Sequence, residues 1–460
     1  MNAVLLARLQ FGITAGFHFL FPPTTLGLAL VIFILESLYL RTKDEIWRQV
    51  SDFLIKIFSV VFVMGVATGI ALEFAFGNNW SGYSRTVGDI FGAPLAAEGV
   101  FSFFLESVFL GVLVFGRRRV SRRAFWLSAF LVFLASHLSA IWIIIANSWM
   151  QTPAGFTIQG GRAVLSDFFQ AAFNPSTVVR FLHTVVGGWI TGSLVAAAIA
   201  GWHLLRGRSR EKAVLLLKTS LTVFIVTALL QLGTGHAHSR QVARTQPEKM
   251  AAFEALWQTR EGAPFTAFGI PDEKNQVTRL AVRIPKLLSW LVSFDVNARV
   301  AGLDEFPKNE RPPVFLPFAG YHLMILFGLL FILMAVWGGV LLARGKLPDA
   351  RLFLRVLILA VPLPYLANEL GWIAAEVGRQ PWAVFRVLRT ADAASVVVPA
   401  GNILFTLIMF TLIYALIALA GVSIILRLVR RGLEGPASAK EGQSPPGGTV
   451  PSTAGPQGGY

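Results

Sequence analysis

Histidine, methionine and carboxylate side chains sit where this chain is otherwise most apolar. His18 lies in GITAGFHFLF, Glu98 and Glu106 in PLAAEGVFSFFLES, His137 and Ser139 in SHLSAIW, and His183 in FLHTVVGGW. His322 and Met324 follow in YHLMILFG, and Asn368, Glu369 and Glu376 in NELGWIAAEVGRQPW. Polar groups in such surroundings are costly and mark functional sites. Imidazole, thioether and carboxylate can hold a buried iron axially, and His/Met is one recognised haem ligation. Carboxylates spaced along an apolar helix can instead take and hand on protons. Lys249 and Glu254, in QPEKMAAFEALW, stand beside Phe253 and Trp257, a set able to hold a quinone head group. Each feature alone has a plainer reading. A membrane histidine can simply join helices, a methionine fills core, Glu98 can pair with Arg8, and Lys249 with Glu254 can be a surface charge pair.

The elements that must position these residues follow from composition. Of 460 residues, 55% are hydrophobic and only 14% charged, and the mean hydropathy is +0.63. A soluble domain carries about 25% charged residues, and general disorder needs far less apolar side chain. Long continuous apolar runs predict nine membrane helices, at about 11–40, 51–76, 95–116, 124–148, 177–205, 213–234, 316–343, 350–376 and 402–428. Pro362 and Pro364 predict a kink in the eighth. The first run is too long for a signal peptide and no small-residue cleavage site follows it. Cysteine is absent, which excludes disulfides, thiolate metal sites and a cysteine nucleophile.

Forty Lys and Arg against 25 Asp and Glu give a net charge of +15. Clusters such as Arg117, Arg118, Arg119, Arg122 and Arg123, or Arg206, Arg208, Arg210 and Lys212, fall on alternate loops, so the surplus is explained by topology and not by nucleic-acid binding. The positive-inside rule then predicts an outside N-terminus and a cytoplasmic C-terminus. The expected organisation is helices one to six over 1–234, an external loop over 235–315, helices seven to nine over 316–432, and a disordered tail over 433–460. The loop's Phe253, Trp257, Phe265 and Trp290 predict that much of it is ordered against the helix ends. His18, Glu98, His183, Met324 and Glu376 then share one depth, within about two turns of the outer face. Glu98 and Glu106, eight apart, are about 12 Å apart along an α-helix with faces differing by about 80°. His322 and Met324 differ by about 200°, so only one can face a given iron; depth favours Met324 opposite His183, with His183–His322 as the alternative.

Taken together, the segments resemble subunit I of the cytochrome bd-type quinol oxidases. RLQFGITAGFHFLFPPTTLGL, VATGIALEFAFGNNWSGYSRTVGDIFGAPLAAEGVFSFFLES, LSAIWIIIANSWMQTPAGF, FLHTVVGGW, QPEKMAAFE and GWIAAEVGRQPW fall in the family's order, over about residues 5 to 430. GHAHSRQVARTQPEK and the short loop resemble the branch often called cyanide-insensitive. The family pattern usually has arginine two positions before the haem methionine; here that position is His322, which exchanges a fixed cation for a titratable one.

The resemblance implies a haem-containing subunit of a terminal oxidase that oxidises quinol at the outer face. Oxygen is reduced to water with cytoplasmic protons, which generates a gradient without pumping. It implies two haem b and one haem d, or a third haem b in its place. His183 and Met324 would hold the low-spin haem b, and His18 and Glu376 the two high-spin haems. Trp372, Arg379 and His322 would form the haem environment. Lys249 and Glu254 would bind ubiquinol or menaquinol, and Glu98, Glu106 and Ser139 would serve proton delivery or haem placement. The implied partners are a second polytopic subunit, a small single-span subunit, oxygen and membrane lipid, in the bacterial cytoplasmic membrane. The competing reading is a proton-coupled polytopic transporter without haem, which would use the same carboxylates.

Overall fold

Hydrocarbon offers no partner to an open backbone, so each long apolar run must close its hydrogen bonds as a helix. The computed structural model describes residues 2–433. Among these it has nine helical spans: Ala3–Thr42, Glu45–Asn78, Ser81–Phe115, Arg122–Gln151, Thr177–Leu205, Arg210–Thr245, Phe315–Ala343, Arg351–Val377 and Ala400–Arg431. The tail expected to be disordered lies outside the described residues, apart from Leu433. Asn2, Asp44 and Ser121 cap the first, second and fourth spans by accepting from backbone N–H groups one turn in.

Three spans depart from a continuous α-helix. The first is divided at Leu20, and Pro22 and Pro23 stand in the first turn of the second piece, where their missing N–H groups cost nothing. The eighth divides into Arg351–Leu359 and Pro362–Val377, at the prolines that predict a kink. In the third, a π-helical turn over Glu98–Phe103 joins the helices Ser81–Ala97 and Phe104–Phe115.

The fifth span is central, and its small residues let backbones approach closely. A methyl group on Gly27 would lie 2.6 Å from the Gly188 carbonyl oxygen and from the Gly192 Cα. Around this contact Leu28, Leu54, Phe58, Leu194, Leu216, Phe224 and Phe353 form the main core. The ninth span instead exposes Phe405, Leu412, Leu416 and Leu419, as a lipid-facing helix should. At the far end of the bundle, Arg117 donates to Asp52 at 2.7 Å and to Glu36 at 2.9 Å, tying the third span to the first and second.

Nine successive crossings put the N-terminus and the segments 152–176, 246–314 and 378–399 on one face. Contacts agree: the Phe385 N–H donates to the Met150 carbonyl and the Ser395 N–H to that of Asn79. The sixth span runs past 234 to Thr245, because GHAHSRQVART is polar yet helical, and hydropathy marks the edge of the hydrocarbon instead of the end of the helix. The following loop holds a short helix Pro247–Phe253 and an antiparallel hairpin, Phe265–Asp272 with Val277–Ile284. Of the aromatics expected to order it, Phe253 is buried, Trp257 and Phe265 are half-buried, and Trp290 is exposed.

Candidate functional site

The helix begun at Pro362 delivers Glu376 to the loop-bearing face one residue before it ends. Arg379, three residues on, reaches the Glu376 carboxylate at 2.5 Å. Arg379 meets Oε2; from the end of the fourth span, the Asn147 and Gln151 amides both donate to the other oxygen, Oε1, at 3.2 and 3.1 Å. Arg180 enters from the fifth span, with a guanidinium nitrogen 4.0 Å from Glu376, and donates to the Asn147 side-chain oxygen Oδ1. Its guanidinium lies 5.9 Å from the centre of the Trp372 ring, which packs edge-on against Phe19. Lys249 completes the group: its ammonium donates to the Gln151 side-chain oxygen and, at 2.6 Å, to that of Gln246. A chain of side-chain hydrogen bonds thus runs Lys249–Gln151–Glu376.

This corner carries a surplus of buried positive charge. Arg180, Arg379 and Lys249 are 5%, 5% and 2% exposed, with Glu376 as the carboxylate among them; Glu248, the next acid, pairs with Arg386. Arg180 Nε, Arg379 Nη1 and Trp382 Nε1 are buried without a partner. Burial, with Arg180 and Arg379 nearby, pushes the Lys249 ammonium well below its ordinary range. Unused donors and excess positive charge suit anionic groups such as propionates.

Glu254 ends the loop helix in a different environment. Its Oε2 accepts from the Thr266 N–H at 3.1 Å, while Oε1 is buried without a partner. Burial raises its pKa to about 8. Phe253 stacks on Tyr321 at 4.7 Å, and the Tyr321 hydroxyl meets that of Ser239 at 3.1 Å. Lys249 and Glu254 are therefore two buried groups with separate partners and not a surface ion pair.

The histidines have fixed rings. The Thr68 hydroxyl donates to backbone carbonyls, so its oxygen accepts from His18 Nδ1–H at 3.0 Å and the other ring nitrogen keeps its lone pair. Gln231 holds His183 Nδ1 at 3.2 Å, and His238 lies 5.3 Å away. His322 and Met324 diverge, as their spacing requires. His322 packs against Phe318 and the loop's Phe265, with Nδ1 2.9 Å from the Phe318 carbonyl. Met324 faces the eighth span, where a methyl on Gly371 would come within 2.9 Å of its sulfur. Gly69 likewise leaves room beside the His18 ring, where a methyl would come within 3.2 Å, whereas a methyl on Gly235 would meet the His183 ring only at ordinary contact, 3.5 Å. Among the described residues no three His, Cys, Asp or Glu side chains form a metal cage. Single ligands backed by glycines fit an iron that brings its own macrocycle.

Glu98 and Glu106 both face the fourth span. Ser139 donates to Glu98 at 2.7 Å and Ser136 to Glu106 at 2.5 Å. An uninterrupted α-helix would set the two carboxylates about 80° apart; the structure corrects this. The π turn absorbs one residue, so eight residues advance like seven, about 20° short of two full turns. Glu98 is partnered by Ser139 and not by Arg8.

The structure brings Glu376, Arg379, Trp372 and Lys249 into one network, sets Glu254 and His322 beside the hairpin, and leaves Glu98, Glu106 and Ser139 on a separate interface. Sequence reasoning missed Arg180, Asn147, Gln151 and Gln246. Only Arg180 left a signal, as a charge three residues before His183 in an apolar run.

Fold and site define a polytopic membrane protein with a buried, positively charged corner around Glu376, and with a serine-held carboxylate pair, Glu98 and Glu106, on another span. Residues 6–433 match the family described as cytochrome bd terminal oxidase subunit I. The chain is 38% identical over 448 residues to cytochrome bd ubiquinol oxidase subunit 1 of Bacillus subtilis, covering 94% of this chain and 95% of that one. It is 35% identical to cytochrome bd-II ubiquinol oxidase subunit 1 of Escherichia coli, covering 94% and 97%. The solved bd oxidase of Geobacillus thermodenitrificans superposes with a TM-score of 0.88 at 29% identity, over 94% of this chain and 99% of that one. The chain belongs to the cytochrome bd terminal oxidase subunit I family.

Proposed function

We propose a division of labour among these residues within the activity that family membership assigns. The protein is a haem-bearing, multi-pass subunit of a terminal oxidase that oxidises quinol and reduces oxygen. That membership leaves the haem-free transporter reading without support. Lys249 and Glu254 bind and deprotonate quinol on the loop-bearing face, which we take as the outer face of the bacterial cytoplasmic membrane. The unpartnered Glu254 Oε1 is available to accept a quinol proton.

Bound haem supplies electron transfer and oxygen reduction. Three haems, two b and one d or a third b, match the ligand set. His183 and Met324 would hold the low-spin haem, and His18 and Glu376 the high-spin pair. Arg180, Arg379 and Lys249 would neutralise propionates, Trp372 would pack against the Glu376 pocket, and His322 would tune the low-spin site from the loop side. Glu98 and Glu106, held by Ser139 and Ser136, would pass protons from the cytoplasm, so charge separates without a pump. A second polytopic subunit, a single-span subunit and lipid would cover the exposed spans, and either ubiquinol or menaquinol suits the site.

The observation that carries this reading is the Lys249–Gln151–Glu376 chain, which couples the quinol residue to a ligand position through one amide. Redox difference spectra with haem extraction on the purified complex test it. Three haems are expected, and Gln151→Leu should slow quinol oxidation with all three retained. Fewer haems, or an unchanged rate, would count against it.

A further inference from the structure

Glu369 is a membrane carboxylate to which the division of labour above gives no task. It stands seven residues before Glu376, two helical turns and about 10 Å deeper on the same face of the eighth span. Oε1 is buried without a partner. Oε2 lies against the first span, where a methyl on Gly16 would come within 3.1 Å of it. Tyr365, four residues earlier, falls within about 40° of the same face. Its hydroxyl meets the Thr24 hydroxyl at 2.8 Å, and Thr24 in turn donates to the Leu20 carbonyl at 3.0 Å. One face of this helix thus carries three protonatable side chains, Tyr365, Glu369 and Glu376, aligned from mid-membrane to the loop-bearing face.

The surrounding helices supply no counter-charge. The first presents Gly16 here, while His18 is turned to Thr68 on the second. The seventh has Tyr321 and His322, engaged with Ser239 and the Phe318 carbonyl. The fifth has Arg180 and His183, held by Asn147 and Gln231 at the loop-side end, and His203 near its other end. Among the described residues no hydrogen bond or ion pair reaches Glu369, and it makes none with a proposed iron ligand. An unpaired carboxylate in hydrocarbon is most stable with a proton bound.

We infer that Glu369 is a proton-holding carboxylate for the Glu376 site, loaded through Tyr365 along the eighth span and distinct from the Glu98–Glu106 pair. While the Glu376 site is oxidised, its positive charge would keep Glu369 ionised; the electron that quinol delivers would cancel that charge, and one proton then binds a Glu369 oxygen. Tyr365 passes a proton up and takes another from below, so no tyrosinate accumulates. The inference rests on the haem proposed at Glu376.

The test uses the purified complex with Glu369→Gln, Glu369→Asp and Tyr365→Phe, read by redox-difference infrared spectra, the pH dependence of the high-spin midpoint potentials, and haem content. The native complex should show a carboxyl C=O band that is lost in Glu369→Gln and displaced in Glu369→Asp. The potential should respond less to pH in Glu369→Gln. Tyr365→Phe should keep the band but slow its appearance tenfold or more. An unchanged band and pH response in Glu369→Gln with full haem content would overturn the inference and leave the haem assignment standing. Loss of a high-spin haem in both Glu369 variants would make the residue structural and also overturn it. No high-spin haem in the native complex would overturn both.

Discussion

Glu254 is where pH should act most directly on quinol oxidation. Its carboxyl is held up to about 8 from an ordinary 4.5, a bias of about 5 kcal/mol toward the protonated form. Only the ionised form can accept a quinol proton, so about a tenth of the molecules are competent at pH 7 and nearly all at pH 9. Quinol oxidation at saturating oxygen should therefore rise with pH through a midpoint near 8. Removing a general base costs about 10²–10⁴-fold. Glu254→Gln should thus lose about a hundredfold or more at pH 9, less at pH 6, and show no step near 8, with haem bands intact. Stability provides a second check. The folded state keeps a proton that the unfolded chain has released above about 4.5, so this group's contribution falls as pH climbs from 4.5 to 8 and stays low beyond. Thermal unfolding in detergent should show that slope in the native protein and a weaker one in Glu254→Gln. Oxygen-electrode rates across pH decide the matter: a Gln variant with the native profile, or one that loses haem, would refute the reasoning.

Lys249→Met removes donors to Gln151 and Gln246, hydrogen bonds worth about 1.5–3 kcal/mol each; the KM for quinol should rise tenfold or more with haem spectra unchanged. Met324→Leu should make the low-spin haem high-spin or lose it, whereas His322→Ala should keep a low-spin spectrum with a shifted midpoint; the reverse pattern would identify His322 as the ligand. Glu106→Gln should slow oxygen reduction with haem retained, and unchanged turnover across pH would exclude proton supply by this residue. Gly27→Ala forces a methyl against the fifth span and should cost about 1–3 kcal/mol in denaturation, whereas Gly12→Ala, which meets nothing within 4 Å, should be neutral.

The spans were legible because membrane helices are specified by hydropathy, and the break at Pro362 because proline removes a donor. The ligand candidates stood out as polar letters in apolar runs. What could not be read was angular and neutral. No residue in EGVFSF announces a π turn, so the phase between Glu98 and Glu106 came out wrong. Gln151 and Gln246 are uncharged amides near helix ends, where such residues are ordinary, and only their contacts with Lys249 give them weight. The helix beyond 234 was hidden because leaving the hydrocarbon and ending a helix are different events.

The π turn also makes the third span redundant by one residue. From Glu98 to Glu106 the chain spends eight positions on the angular work of seven. Deleting one, Gly99 for instance, would let the stretch close as ordinary α-helix while Glu106 still points at Ser136. Closing the same eight residues as α-helix would instead swing everything after Phe103 by about 100°. Relatives one residue shorter in this stretch should therefore keep the carboxylate pair in phase, and an alignment gap here would be geometrically silent where a gap in a neighbouring span would not.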